Sequence, residues 1–461
     1  MEEEESFRDS IGTIKKDGSR NWIFPKLVIG KFYKWRSLVS YLFIVVFLIL
    51  PWIKIGGHPL FMFDLFNRKF ILFSKVFWPQ DFFIFVLGML TFIVFIVLFT
   101  VVFGRLFCGW ICPQTVFMEM IFRKVEYWIE GSADAQRRLT NSPWNAEKIK
   151  KRGSKLLIFY LISFVIANYF LAYMIGMDNV VLYIKEGIGN HIGTFIPLII
   201  FSLVFFFVYT WFREQVCLIV CPYGRLQSVM LDKDSIVVAY DYVRGEDRQR
   251  FKKHEERTAG DCVDCGDCVK VCPTGIDIRN GTQLECINCT NCIDACDAIM
   301  EKFNFDQGLI RYASETTIKE KKKLTLTPRI IGYSIVLTLL MGVLAFMLIT
   351  RNEVQATIMR VQGQLYQDKG AEISNIYNIK LINKTIKDIP VELRVVGDIS
   401  GRVEMVGDKI LVKKEGLGDA VFFIYIDKNK LKSRKNKIEV GVFEKGELIT
   451  KVKTTFLAPN I

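Results

Sequence analysis

Five long apolar stretches divide the chain into membrane-spanning and polar parts. A bilayer core of about 30 Å takes about 20 helical residues to cross, so each stretch predicts one transmembrane helix. The stretches are Leu38–Trp52, Phe82–Phe103, Leu156–Ile175, Phe195–Phe212 and Ile330–Ile349. An aromatic segment containing Trp78 lies between the first two, and its composition favours a re-entrant or interface-lying piece.

The pattern changes after Arg351 to alternating polar and apolar residues separated by turn signals. The predicted strands are Ile376–Ile382, Val391–Val396, Arg402–Val406, Ala420–Ile426, Lys437–Phe443 and Leu448–Phe456. Six or seven short strands over roughly a hundred residues, without a helical period, predict an all-β sandwich of the immunoglobulin type. This domain has no cysteine or histidine, so we expect it to dock to a partner rather than to carry chemistry.

Lysine and arginine in the short loops predict the orientation. The loop 104–155 holds ten of them, whereas the loop 176–194 holds only Lys185. We therefore expect the amino terminus and residues 213–329 in the cytoplasm, and the carboxyl terminus in the periplasm of a bacterial inner membrane. The net charge of +13 does not indicate nucleic acid, because much of it flanks apolar stretches, where lipid headgroups are the simpler partner.

Eight of the twelve cysteines lie in one short region, where the spacing C-x2-C-x2-C-x3-C occurs twice. This spacing is typical of a bacterial ferredoxin that binds two [4Fe-4S] clusters, in which the fourth cysteine of each run binds the other cluster. The predicted ligands of cluster 1 are Cys262, Cys265, Cys268 and Cys296, and those of cluster 2 are Cys286, Cys289, Cys292 and Cys272. A zinc site fits this doubled run poorly, because it needs only four ligands. A disulfide framework needs an oxidising compartment, which the predicted cytoplasmic location does not provide.

The remaining four cysteines form a second repeat, C-x3-C-P, about five residues beyond the second and fourth apolar stretches. They are Cys108 and Cys112 in the first copy and Cys217 and Cys221 in the second. A separation of four residues on a continuing helix would put both sulfurs on one face, with Cβ atoms about 5–6 Å apart. Four converging thiolates suit Cu(I) or a further iron–sulfur centre better than a hard cation.

Two other interpretations of these motifs remain open. The cysteines could be small buried apolar residues near helix ends, although two copies at matching depth favour a redox or metal site. Arg105 and Arg225 each lie within a few residues of one of the two motifs. They could lower thiol pKa values, but we expect them to anchor lipid headgroups.

The positions of the histidines and the lack of a dinucleotide-binding glycine motif exclude several cofactors. No apolar stretch contains a histidine, which excludes a bis-histidine haem inside the bilayer. We expect His58, His191 and His254 to be isolated surface residues in loops. No flavin or nicotinamide site is visible, so electrons must come from another protein or from a membrane pool.

These features predict a multi-domain membrane protein. Its predicted parts are a cytoplasmic segment 1–36, a helical transmembrane bundle 37–212 with a cytoplasmic loop 104–155, a cytoplasmic region 213–329 with a 2[4Fe-4S] ferredoxin-like domain at about 255–305, a fifth transmembrane helix 330–350, and a periplasmic sandwich 351–461.

Several strings along the chain resemble a known family. They are CGWICP, CPYGRLQSVMLDKD, CPTGIDIRNG, CIDACDAIM and GLIRYASE. Together they resemble the cytochrome c oxidase accessory proteins called CcoG, FixG or RdxA. The resemblance implies a cupric reductase that supplies Cu(I) to the assembly machinery of a cbb3-type oxidase. It also implies homodimers, and a redox or copper site at Cys108, Cys112, Cys217 and Cys221.

Three functional hypotheses follow. In the first, an unknown cytoplasmic donor reduces the clusters, and Cu(II) near the C-x3-C-P thiols receives the electron. The second is an electron conduit between the quinol pool and another redox enzyme. The third is a non-catalytic assembly scaffold or copper carrier in which the clusters only stabilise the fold.

Overall fold

The computed structural model describes residues 12–459 except 15–16, 18, 56, 66–68, 74, 79–80, 252–258, 322–326, 352–353, 362, 364, 386, 398, 408–409 and 415. His254 therefore lies outside the described residues. The chain forms two compact units. The first comprises 1–51, 88–172 and 176–341, and the second comprises 52–87, 173–175 and 342–461.

Within the described part of the chain, five helices are long and apolar enough to cross a membrane. They are Lys31–Trp52, Phe82–Phe103, Ala146–Ile175, Gly189–Phe212 and Pro328–Ile349. Each contains one predicted stretch, which confirms the five predicted apolar helices; we call them the five crossings. The first, third and fourth helices begin six to ten residues earlier than hydropathy predicts, because a helix continues through polar residues until a cap ends it. The Asn145 side chain provides that cap for the third helix by accepting a hydrogen bond from the Lys148 amide (2.8 Å).

Short helices connect these crossings in the first unit. Between the second and third crossings the chain forms Leu106–Trp110, Pro113–Phe117, a π-helical turn Met118–Phe122, Arg123–Glu130 and Ala133–Asn141. Met177–Glu186 lies between the third and fourth crossings. After the fourth come the π-helical turn Val216–Val220 and the helices Pro222–Met230 and Tyr242–Gly245.

The region around the eight clustered cysteines contains a two-stranded antiparallel sheet, formed by one strand before the cysteines and one strand after them. Its strands are Val237–Tyr240 and Ile310–Ala313, and its helices are Asp267–Lys270, Asn291–Lys302 and Glu315–Glu320. The apolar core of this region is buried together with several of the cysteines. Because both strands lie outside 255–305, the folded core is larger than the predicted range.

The carboxyl-terminal domain is a sandwich of two antiparallel sheets, as predicted. One sheet has the strand order Arg402–Met405, Leu417–Asp427, Glu372–Asn383 and Val354–Arg360, with Gln367–Asp368 beside Glu372–Asn383; the other has the order Ile410–Val412, Ile389–Val396, Lys435–Glu444 and Glu447–Leu457. Tyr377, Phe422 and Phe456 are fully buried between the sheets. The six predicted strands are all present. The sequence analysis missed the strand directly after the fifth crossing and the two shortest strands, which have too few residues to show an alternating pattern.

The segment between the first two crossings is a small β structure, which contradicts the re-entrant alternative, whereas the interface-lying alternative stays a prediction. Lys54–Ile55 pairs with His58–Pro59, and Phe61–Asp64, Lys69–Leu72 and Lys75–Phe77 form a three-stranded antiparallel sheet. Ile71 and Val76 are buried in its core.

Asp81 ends this segment inside the second unit and is paired with two cations. Its carboxylate lies 2.7 Å from Arg351 Nη2 and 2.5 Å from Lys384 Nζ. Burial alone would raise the pKa of Asp81, but the two cations outweigh it and lower the pKa. A charged triad therefore ties the segment to the start and the first sheet of the sandwich.

Candidate functional site

The eight clustered cysteines line two separate cavities. Cys262, Cys265, Cys268 and Cys296 line the one that we call the first cradle. Cys272, Cys286, Cys289 and Cys292 line the second cradle, which Cys268 also borders. The fourth cysteine of each run thus lies with the first three of the other run.

The two cysteine loops share one backbone pattern, which explains why they form matching cavities. The residues two and four positions after the first cysteine of each loop have positive φ angles: Asp264 (48°) and Gly266 (67°) in the first loop, and Asn288 (54°) and Thr290 (67°) in the second. Positive φ is uncommon for residues other than glycine. Its repetition at equivalent positions turns each loop tightly enough for three sulfurs to face one cavity.

The chemistry of both cradles fits a [4Fe-4S] cluster. The remaining lining is largely apolar, with Val238 and Ile276 in the second cradle and Leu309 and Ile310 in the first. All eight cysteines are free thiols. Among the described residues, no three of the His, Cys, Asp and Glu side chains lie close enough to share a single metal ion; in each cradle the four thiols surround a space instead. When bound, a cluster in each cradle would supply one-electron chemistry.

Burial keeps several of the cradle thiols protonated when no metal is bound. It raises the pKa of Cys268 and Cys289 to about 12 and that of Cys286 to about 11. Because the thiolate is the metal-binding form, cluster binding must release these protons.

The C-x3-C-P motifs do not continue a helix, contrary to the expectation from their spacing. Each proline is instead the first residue of a new helix, and the cysteine before it is the N-cap. Cys112 has ψ 125° and Cys221 has ψ 109°. The residue before a proline is pushed away from the helical region by the proline ring, so the second cysteine of each motif lies at a break between two helices.

The four thiols of these motifs, which we call the thiol site, interact with one another. Burial, reinforced by the neighbouring cysteines of the site, raises the pKa of Cys108 to about 11 and that of Cys217 to about 12. The thiol of Cys108 donates to Gln227 Oε1 (2.9 Å), and Gln227 Nε2 donates to the hydroxyl of Thr100 (3.0 Å). The thiols are therefore neighbours held in place, but within the described residues no three are spaced for a single ion. A bound ion would have to draw them together.

Arg105 is not a headgroup anchor, so that expectation was wrong. Its side chain is 2% exposed and donates to the carbonyl of Leu284, just before the second cradle. A Cβ built on Gly224 of the second motif would lie 2.9 Å from Arg105 Nη2. The guanidinium thus lies where both motifs and the second cysteine loop meet, while Arg225 is exposed.

A buried ion network lies beside the thiol site, and the sequence analysis missed it. Glu126 contacts Arg213 Nη2 and Lys155 Nζ, and Lys155 also contacts Glu130 at 2.8 Å. All four side chains are at most 7% exposed. Glu126 and Glu130 lie four residues apart on one helix face, but the hydropathy of the loop did not distinguish buried charges from solvent-exposed ones.

A third cavity lies between the thiol site and the second cradle. Its lining includes Cys217, Met118, Glu119 and Glu214. It also includes Thr274 and Ile287, which line the second cradle. This cavity combines a thiol, a thioether and carboxylates next to the cluster-binding loop.

Of the remaining candidates, His191 stacks on Tyr183 (3.8 Å between ring centroids) and contacts Glu186 through Nε2 at 2.6 Å. His58 lies in a short strand, and its side chain is outside the described part of the structure. His191 therefore has a structural environment, and it does not line either cradle or the third cavity.

Three family models match the chain. The model described as a 4Fe-4S dicluster domain matches residues 212–315, and one described as a 4Fe-4S binding domain matches residues 85–131. The first covers both cradles and the second C-x3-C-P motif, and the second covers the first motif. A model described as the IG-like fold at the C-terminus of FixG matches residues 344–459, which agrees with the observed sandwich.

Three characterised sequences are similar over about two thirds of the chain. The nitrogen fixation protein FixG of Rhizobium meliloti (strain 1021) is 36% identical over 64% of this chain and 57% of its own length. Protein RdxB of Cereibacter sphaeroides is 36% identical over 66% of this chain and 65% of its own, and RdxA of the same organism is 33% identical over 64% and 62%. The chain thus spans less than two thirds of the length of these relatives.

Proposed function

Because the chain belongs to the FixG/RdxA family of membrane iron–sulfur electron-transfer proteins, we propose that it reduces Cu(II) to Cu(I) for the maturation of a cbb3-type cytochrome c oxidase. The observation that carries this proposal is the third cavity, in which a C-x3-C-P thiol and the second cradle border the same space. A metal ion there would lie beside both an electron source and soft ligands.

The proposed cluster ligands follow the two cradles. Cys262, Cys265, Cys268 and Cys296 would hold one [4Fe-4S] cluster, and Cys286, Cys289, Cys292 and Cys272 would hold the other. In each set, three thiols come from one tight loop and the fourth from the other run, which is the arrangement that this spacing produces in ferredoxins.

The thiol site would favour the product of the reaction. Carboxylates such as Glu119 and Glu214 suit Cu(II), although they would have to exchange their partners Arg123 and Arg20 for the ion. The thiols of Cys108, Cys112, Cys217 and Cys221 suit the softer Cu(I) ion. One electron converts one Cu(II) ion to Cu(I), and the thiols that bind the product release their protons. The proposed electron source is a cytoplasmic donor protein outside this chain, since no flavin or nicotinamide motif is present in the sequence; the membrane quinol pool is the alternative source.

The proposed setting is a bacterial inner membrane, with the amino terminus and cradles in the cytoplasm and the carboxyl terminus in the periplasm. The basic loop 104–155 supports this orientation. In this setting the partners would be membrane lipids, the donor protein, the oxidase assembly machinery and a second copy of the chain. The sandwich would serve as a docking domain on the periplasmic side.

The test is copper reduction by the purified, anaerobically reduced protein. Cu(II) is added, and Cu(I) is followed with a chromogenic chelator in the wild type and in a variant with serine at Cys108, Cys112, Cys217 and Cys221. We expect the variant to lose most of the rate while keeping its iron content, which serves as the control. An unchanged rate would reject the thiol site as the place of reduction. Cluster reduction by quinol that does not depend on copper would support the electron-conduit hypothesis instead.

A further inference from the structure

We infer that the thiol site is coupled to the second cradle alone, and that Gly109 is the positioning residue at their contact. The inference rests on the proposed function in taking the cradles to hold clusters, but it does not depend on copper. It assigns different roles to the two cradles, which the cysteine spacing treats as equivalent.

The first C-x3-C-P motif packs backbone to backbone against the loop of the second cradle. A Cβ built on Gly109 would lie 2.4 Å from the carbonyl oxygen of Ile287 and 3.0 Å from the carbonyl carbon of Asn288. Both contact atoms belong to the main chain and cannot rotate away. Only glycine fits between Cys108 and that loop, since any side chain would push the two segments apart. Cys108 itself packs with Ile287 and Cys289.

Two hydrogen-bonded connections hold this contact on either side. The buried Arg36 donates through Nε to the carbonyl of Gly109 (2.9 Å) and through Nη1 to Asn291 Oδ1 (3.1 Å). Trp110 donates to the Tyr312 hydroxyl (3.2 Å), which donates to the carbonyl of Asn288 (3.3 Å). Gly109 itself and Trp110, the residue after it, are thereby fixed to the second cysteine loop.

The positive charge of Arg105 also lies between the thiol site and the second cradle. The guanidinium of Arg105 lies near Cys108, contacts the carbonyl of Leu284 and acts on Cys286 of the second cradle. One buried cation therefore influences both sites. A nearby cation stabilises electron-rich states, so it favours reduction at both places.

The first cradle has a different environment. None of its described lining residues comes from either C-x3-C-P motif. Its Cys265 is exposed, whereas the four thiols of the second cradle are buried or half-buried. The first cradle therefore faces the side from which a donor protein can approach, and the second faces the thiols.

Gly109→Ala tests the inference by electron paramagnetic resonance of the dithionite-reduced holoprotein, without copper. The cluster signals are first assigned with Cys265→Ser and Cys286→Ser, because a changed or lost ligand alters or removes the signal of its own cluster. We expect Gly109→Ala to shift the signal and the midpoint potential of the second-cradle cluster and to leave the first unchanged. The matched control is Gly153→Ala, a helical glycine with no atom within 4 Å of a built Cβ, which should leave both signals unchanged.

A milder variant keeps the test valid if Gly109→Ala does not fold. Trp110→Phe removes only the indole donor to Tyr312 and should produce a smaller shift of the same signal. Unchanged signals in both variants, or a shift confined to the first-cradle cluster, would overturn the inference. Loss of copper reduction with this signal pattern intact would instead count against the proposed function.

Discussion

Glu126→Ala should destabilise the first unit strongly, because it leaves the buried Arg213 without the carboxylate that it contacts and leaves Lys155 with Glu130 alone. The Glu126 side chain is 4% exposed and contacts Arg213 Nη2 and Lys155 Nζ (3.5 Å). Burial alone would raise the pKa of Glu126, but Arg213, Lys155 and Arg123 outweigh it and lower the pKa. The carboxylate is therefore charged at neutral pH, and Arg213 depends on it, whereas Lys155 also contacts Glu130.

The size of the expected destabilisation follows from the burial of the ion pairs of Glu126. Removing one partner of a buried ion pair costs about 3–5 kcal/mol, because the other charge stays buried without compensation. An exposed pair contributes about 0.2–1 kcal/mol. Glu147 and Lys151 form such a pair at 2.6 Å, with side chains 66% and 38% exposed. Glu147→Ala is therefore a matched control with the same substitution in the same part of the first unit.

Glu126→Ala should also loosen the thiol site. Arg213 lies between the fourth crossing and the second C-x3-C-P motif, with a φ of 54° that is unusual for this residue type. Its carbonyl accepts a hydrogen bond from Gln114 Nε2 (3.3 Å), one residue after the first motif. Without Glu126, the arginine that joins the two motifs loses its anchor.

The assay compares thermal unfolding midpoints of wild type, Glu126→Ala and Glu147→Ala in one detergent, together with alkylation rates of the thiol site. We expect a large drop in midpoint and faster alkylation for Glu126→Ala, and near wild-type values for Glu147→Ala. Equal midpoints for the two variants would refute the argument that burial makes the Glu126 network structural.

Two further predictions concern charge and pH. Asp81→Asn should destabilise the second unit by about 3–5 kcal/mol, since Arg351 and Lys384 would stay paired to a neutral group. Because the pKa of Asp81 is lowered in the folded protein, its contribution is present above the unfolded value of about 3.9 and is lost as the pH falls through the folded value. Unfolding of the sandwich followed from pH 7 to pH 2 should show this loss in the wild type only, and identical curves would contradict it. In the metal-free protein, burial raises the pKa of Cys108 to about 11, so its alkylation rate should rise about tenfold per pH unit from pH 7 to pH 10; a plateau near pH 8.5 would show an ordinary thiol.

The elements with a repeating local pattern were predictable from the sequence. Hydropathy located the five crossings, and alternation located six strands of the sandwich, including Ala420–Ile426 within the longer strand Leu417–Asp427. The doubled cysteine spacing predicted two sets of four thiols, and each set lines one cavity. Three thiols of each set come from one tight loop, whose reach is a local property. The ends of the helices were less predictable, since caps such as Asn145 lie outside the apolar stretch.

Features that depend on contacts distant in sequence were not predictable. Arg105 resembles any basic residue beside a membrane helix, and only folding brings it to Leu284. The sequence does not distinguish Gly109 from the other glycines, because the loop at Ile287 packs against it only in the folded chain. The break before Pro113 could have been read from the sequence, because proline restricts the preceding residue, but the four-residue spacing was given more weight.

Metal analysis of the wild type and of the variant with serine at Cys108, Cys112, Cys217 and Cys221 tests the central claim most directly. The claim is that two clusters occupy the cradles and that the thiol site is separate from them. Both proteins, isolated without oxygen, should contain roughly eight iron atoms per chain and the resonance signals of two [4Fe-4S] clusters. Zinc in place of iron, or a clear loss of iron in the variant, would contradict the account, because the thiols would then be cluster ligands rather than a separate site.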